Sequence, residues 1–144
     1  MQQHIEQLFQ RYQQCFVQGI QDEADLETVA GFFAESFITA WPGGVMTGNN
    51  DDQLRGVMGK GFEHYRAMGM RDMAVDHVAV HPIDPMHCVA SVAWASTFER
   101  SGEAARVVRF TVHYLIQLRE GSARIFGWIA GDEEAELRAQ GIMS

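Results

Sequence analysis

The stretch MHCVASVAWASTFER, Met86 to Arg100, alternates between two kinds of side chain. Successive residues of an extended chain point to opposite faces. Cys88, Ala90, Val92, Trp94, Ser96 and Phe98 therefore share one face, and Val89, Ser91, Ala93, Ala95 and Thr97 share the other. The first face carries the bulk and suits an interior. The second is small and uncharged, unlike a solvated face. A period of two over this length predicts a β-strand. Whether its Trp94 face lines a cavity or fills a core is the question on which function turns.

The same period recurs on both sides. Strands are predicted over Asp72–His81, Met86–Arg100, Arg106–Arg119 and Ser122–Ala130. Pro82, Asp84 and Pro85 mark the first turn, Ser101-Gly102-Glu103 the second and Glu120-Gly121 the third. Connections this short make consecutive strands antiparallel neighbours. Within Arg106–Arg119, Val108, Phe110, Val112, Tyr114, Ile116 and Leu118 form an apolar face. Val107, Arg109, Thr111, His113, Leu115 and Gln117 form a mixed one. In the last strand, Phe126 and Trp128 are expected on one face, with Ile125 and Ile129 on the other.

Ahead of the strands the period is helical. A first helix is predicted over Gln3–Gln18, with Ile5, Leu8, Phe9, Tyr12, Cys15 and Phe16 on one face and Gly19 as its stop. A second is predicted over Glu23–Glu35, capped by Asp22, with Leu26, Val29, Phe33 and Phe37 as its stripe. Trp41-Pro42-Gly43-Gly44 reads as a loop, since proline lacks an amide donor and glycine is too free for a helix. A third helix follows Asn50 as cap, buries Leu54, Val57, Met58, Phe62 and Tyr65, and ends at Gly69. A short charged helix is predicted over Asp132–Gln140. Helices first and a curved antiparallel sheet after give an α+β class, as a single domain over residues 1–144.

Composition narrows the function. Eleven Lys and Arg against 19 Asp and Glu give a formal net charge of -8, which opposes binding to nucleic acid. No run approaches the ~18 apolar residues that span a bilayer. The start MQQHIEQLFQRYQQ lacks the basic region and apolar core of a secretory signal, so a cytoplasmic protein without membrane partners is expected. Cys15 and Cys88 are far apart and outside any C-x-x-C pattern; they read as buried small hydrophobes. His81 and His87 flank the Pro82–Pro85 turn with no third ligand at fixed spacing, so neither a metal nor a cofactor is expected.

The polar candidates are few. Asp76 and His77 are adjacent in a strand, so only a bulge would turn both to one face. An inward Asp76 in an apolar cavity would be a general acid or base; the alternative is a surface carboxylate. His113 is a base if buried near an acid, or part of a polar interface shared with Arg109 and Gln117. Trp41, beside Gly43-Gly44, is either a pocket rim or a loop anchor. The small outer face of Met86–Arg100 suits burial against a second copy of the chain, giving a homodimer through the sheet.

The segments FFAESFITAWPGG, residues 32–44, and ARIFGWIAGDEEAEL, residues 123–137, together with the order of elements, resemble the nuclear transport factor 2-like superfamily. The SnoaL-like branch, which includes polyketide cyclases and ketosteroid isomerase, is the most similar. The resemblance implies a cone-shaped fold: three N-terminal helices packed in a curved antiparallel sheet, with a deep apolar pocket at one end. It makes Phe16, Phe33, Trp41, Phe62, Tyr65, Trp94, Phe110, Tyr114 and Trp128 the pocket or core aromatics. It also makes Tyr12, on the first helix, the counterpart of the isomerase oxyanion donor. Trp41 stands where those isomerases carry their base carboxylate before proline, and no carboxylate lies between Arg106 and Arg119 where they carry a second acid.

Two readings follow. In one, the chain binds a small hydrophobic molecule and performs cofactor-free acid–base chemistry (isomerisation, cyclisation or hydrolysis) through Tyr12, Asp76 and His113. In the other, it is a non-catalytic dimeric binding or protein-interaction module.

Overall fold

Tight turns between long alternating segments build the sheet. A computed structural model describes residues 1–23 and 25–142 of the chain. The helices are α1 (Gln2–Ile20), α2 (Leu26–Ala30), α3 (Asp52–Ala67) and α4 (Glu133–Ala139). The strands are β1 (Phe33–Trp41), β2 (Gly44–Asn49), β3 (Met70–Asp84), β4 (His87–Phe98), β5 (Arg106–Arg119) and β6 (Ser122–Ala130). They form one six-stranded sheet in the order β2-β1-β6-β5-β4-β3. The last four strands run as an antiparallel meander, with β4 at its heart: Trp94 lies opposite Val75 on β3 and Phe110 on β5.

The α+β class stands, but the second predicted helix does not. Asp25, not Asp22, caps α2, its carboxylate accepting from the amides of Glu27 and Thr28. Asp22 lies in the turn after α1 with φ +61°, and Ala24 lies outside the described residues. The helix stops at Gly31, and Phe33 and Phe37 belong to a strand. That strand, β1, pairs antiparallel with β2 and parallel with β6, so the sheet is mixed and wider than expected. The physical reason is that Phe33 and Phe37 satisfy a helical stripe and a strand face equally well. Pairing with β6, Phe33 opposite Ile125 and Thr39 opposite Trp128, decides between them. The cap of α3 is Asp51, whose carboxylate accepts from Gln53 N. Asn50 instead donates its side-chain amide to the carbonyls of Ala30 and Phe33, at 2.8 and 3.1 Å, and ties the start of β1 in place.

Two bulges set which side chains face inward. Opposite β6 the register slips between Leu115 and Ile116: Ile116 pairs with Ile125 and Leu115 with Gly127, leaving Phe126 extra. An extra residue reverses the alternation beyond it. Ile125 and Trp128 therefore pack against the core, while Ile129 is exposed and Phe126 meets His87 edge-on on the outer side. This overturns the expected sharing of faces by Phe126 and Trp128. Gly127 makes the close approach of β1 possible, since a Cβ there would lie 2.9 Å from the Ile38 carbonyl oxygen. In β3 the bulge falls on Asp76, between the Val75–Trp94 and His77–Ala93 pairs.

The concave face of the sheet wraps α1. Ile5, Leu8 and Phe9 are buried against a core that includes Val92, Trp94, Tyr114 and Ile116. The convex residues of β4 are half-buried, in strict alternation with the buried set. Among the described residues no helix is long and apolar enough to cross a membrane.

Candidate functional site

The core does not fill the concavity. Between α1, α3, the sheet and the start of α4 lies a cavity of about 610 Å³. Trp94 forms part of its wall, at 1% exposure. Its indole Nε1 donates to the Tyr114 hydroxyl across the strand pair at 3.1 Å, which fixes both rings against the wall. Phe16, Phe33, Trp41, Tyr65, Trp94, Phe110, Tyr114 and Trp128 all line this cavity. Phe62, also expected there, lines an adjoining hollow of about 160 Å³ together with Tyr12, Phe16 and Tyr65. Trp41, which ends β1, and Pro42 and Gly43, the turn to β2, lie at the same cavity. Trp41 is 41% exposed, so this ring belongs to a rim rather than to the core.

The polar groups come from three helices and the sheet. Tyr12 projects from α1 among the rings of Phe9, Phe32, Phe33, Trp94 and Tyr114. Tyr65 reaches in from α3 and donates its hydroxyl to Glu133 Oε2 at 3.1 Å. Glu133 is the first residue of α4, positioned because Asp132 caps that helix by accepting from Ala135 N. Buried Leu137 and Ile142 anchor α4, as does a bond from Arg106 to the Gln140 carbonyl. Ser96, fully buried on β4, donates to the sulfur of Met73 at 3.0 Å.

Desolvation dominates the electrostatics. Burial pushes the Glu133 carboxyl above its ordinary value, and the Tyr65 hydrogen bond pulls it partly back. Burial likewise pushes up the Tyr12 and Tyr65 hydroxyls, and the charge of Glu133 adds to it. Tyr114 is raised by burial first. All three tyrosines therefore remain protonated donors. Among the described residues the carboxylate is held by the neutral Tyr65 hydroxyl and by no basic group.

The other two expected polar residues are elsewhere. Asp76 lies on the convex side, 47% exposed, and its Oδ2 accepts from Arg109 Nε at 3.1 Å. The bulge at Asp76 leaves both it and His77 exposed, so no acid enters the cavity from β3. His113 is exposed on the same convex side, its Nδ1 sharing a hydrogen bond of 2.7 Å with the Ser91 hydroxyl. The cavity thus brings Tyr12 together with Glu133, not with Asp76 or His113. Sequence reasoning missed Glu133, because in Asp132-Glu133-Glu134 nothing separates the inward carboxylate from its solvated neighbours. The only available signal was that the run directly follows the inward-facing Trp128 strand.

No protein of curated function matches the chain in sequence. Solved structures resemble it throughout. An NTF2-like protein with a cystatin-like fold from Novosphingobium aromaticivorans superposes with TM-score 0.68 at 13% identity, covering 99% of this chain and 88% of that one. A ketosteroid isomerase-like protein from Erwinia carotovora atroseptica gives 0.64 at 16% identity, covering 89% and 92%. A scytalone dehydratase-like protein from Novosphingobium aromaticivorans gives 0.63 at 12% identity, covering 90% and 81%. At these identities the likeness concerns the fold alone. Residues 2–133 match the family model described as NTF2-like protein (DUF6841), and the chain belongs to that family.

Proposed function

We propose that the cavity binds a small molecule with an apolar body and a polar group at one end. Glu133 exchanges a proton with that group, and the Tyr12 hydroxyl hydrogen-bonds to it. The reaction class is cofactor-free acid–base chemistry: isomerisation, dehydration, cyclisation or hydrolysis. The observation that carries this reading is a carboxylate set into an aromatic cavity with, among the described residues, only a tyrosine hydroxyl as partner. Desolvation of that kind tunes a carboxylic acid toward proton transfer at neutral pH. The names of the isomerase-like and dehydratase-like structural neighbours are consistent with it.

The test uses cyclic ketones, alcohols and epoxides screened by quenching of tryptophan emission, with binders then followed for conversion by NMR. Glu133→Gln is expected to bind and lose about 10²- to 10⁴-fold in turnover, while Asp76→Asn and His113→Gln turn over as before. Undiminished turnover in Glu133→Gln would sink the proposal.

A second reading, a binding module without turnover, draws on the separation of Asp76 and His113 from Glu133. It predicts binders but no conversion by any variant. Under either reading we place a second copy of the chain on the convex face of β4, where Val89, Ser91, Ala93, Ala95 and Thr97 are half-buried and uncharged. Light scattering on wild type and Ala93→Arg tests this: a dimer converted to monomer supports it, and a monomeric wild type rejects it.

A further inference from the structure

The cavity has a charge character that the reading above leaves unused. Among the described residues that line it there are three carboxylates, Asp132, Glu133 and Glu134, and no Lys, Arg or His. Glu134 is exposed and pairs with Arg138 on its own helix at 3.4 Å. Glu133 has only Tyr65. The groups facing it from other elements are the hydroxyls of Tyr12 on α1, Tyr65 on α3 and Tyr114 on β5, all uncharged when protonated. An anion entering here would meet like charge in a site that water screens poorly.

Aromatic rings make up much of the rest of the wall, and those of Trp128, Tyr65 and Phe110 are partly exposed. Ring faces carry negative potential, and a cage of them attracts an ammonium group, most strongly when it is desolvated. A second polar atom is unused. Tyr12 is enclosed by aromatic rings, and its hydroxyl has no hydrogen-bond partner among the described residues. What remains accessible of this side chain borders the two adjoining hollows. The hydroxyl is not sealed off from the cavity, so a polar group bound there can take up its unused hydrogen-bonding capacity.

We propose that the cavity is selective for an organic cation, an amine or quaternary ammonium with an apolar body, seated between the Glu133 carboxylate and the partly exposed rings of Trp128 and Tyr65. The proposal rests on the cavity being a ligand site, as argued above, and adds the chemical class. Glu133 supplies the counter-charge, the rings supply cation–π attraction, and the Tyr12 hydroxyl accepts from an N–H or bonds a polar group beside the nitrogen. The net charge of -8 favours the approach of a cation over longer range.

Three probes of one shape separate the outcomes: benzyltrimethylammonium, its neutral isostere neopentylbenzene, and the anion phenylmethanesulfonate. Binding is read by tryptophan emission and by calorimetry at low and high salt. The cation is expected to bind about tenfold or more tighter than the neutral isostere, with its affinity weakened by salt, and the anion is expected not to bind. The cation's affinity should also rise with pH as Glu133 ionises, while that of the neutral probe stays flat. This readout needs no mutant. In Glu133→Gln, checked for its fold by circular dichroism, the preference for the cation should collapse to near equality. Equal binding of cation and neutral isostere by wild type would overturn the cation proposal and leave the ligand site standing. Binding of none of the three would overturn both.

Discussion

The concave and convex faces of this sheet carry the same kinds of polar group in opposite circumstances. On the convex face, Asp76 meets Arg109 and Asp84 meets His87, each carboxylate exposed and matched to a basic group. On the concave side, Glu133 is partly buried and has a neutral hydroxyl in place of a cation. Solvent and a counter-charge leave a carboxylate satisfied and chemically idle. Desolvation without a counter-charge leaves it poised. The difference lies in surroundings rather than residue type, which is why the acids that look most catalytic in the sequence are not the one in the cavity.

Single substitutions should separate the two faces. The largest effect is expected from Trp94→Ala. This ring packs against Phe9, Tyr12 and Phe16 and donates to the Tyr114 hydroxyl. Its loss should cost about 3–5 kcal/mol in urea denaturation, a large part of a total of about 5–15 kcal/mol. On the opposite face of the same strand, the half-buried Thr97→Ala should cost much less, about 0.5 kcal/mol. Comparable losses at both positions would erase the contrast between the two faces of β4.

Tyr65→Phe comes next. It removes the partner of a desolvated carboxylate and should destabilise by about 1–3 kcal/mol. It should also drive the Glu133 carboxyl further up, because the lost hydrogen bond is the one contribution that holds it down. The acid limb of any pH–rate profile should move to higher pH. An unmoved limb would mean that Glu133 is not the titrating group.

The sequence shows these contrasts unevenly. The strict alternation of β4 was enough to place Trp94 inward and Ala93 outward, and β5 and β6 have the bounds that their turn residues imply. The stretch from Phe32 to Trp41 was misread because Leu26, Val29, Phe33 and Phe37 happen to fall at helical spacing, and only pairing with a strand nearly a hundred residues later resolves it. Bulges at Asp76 and Phe126 leave no local mark, since register belongs to a pair of strands and not to either one. The aromatic wall was legible through the family resemblance. Glu133 was not, because a run of acids at the start of a short helix looks like solvated surface until the cavity beside it is seen.

A pH titration of stability sharpens the comparison at smaller scale. The folded-state pKa of Glu133 lies above its unfolded value. Between the two the folded chain holds more protons, so this group lowers stability as pH rises through that window. Glu133→Gln should therefore raise the thermal midpoint relative to wild type at pH 8 and leave it nearly unchanged well below pH 4.5, where both side chains are neutral. A variant less stable than wild type at pH 8 would contradict the desolvation argument.

Asp84→Asn should give the smallest effect, with the opposite sign. The His87 hydrogen bond, helped by the Met86 amide, holds the Asp84 carboxyl below its ordinary value. A depressed pKa contributes stability above the unfolded value and loses it as pH falls through the folded one. Asp84→Asn should lower the midpoint slightly at pH 7 and converge on wild type in acid, a trend opposite to that of Glu133→Gln. The pair of curves tests the central claim directly. If both substitutions shift stability in the same direction at neutral pH, the two carboxylates share one kind of environment. The distinction between a satisfied convex acid and a poised concave one then fails.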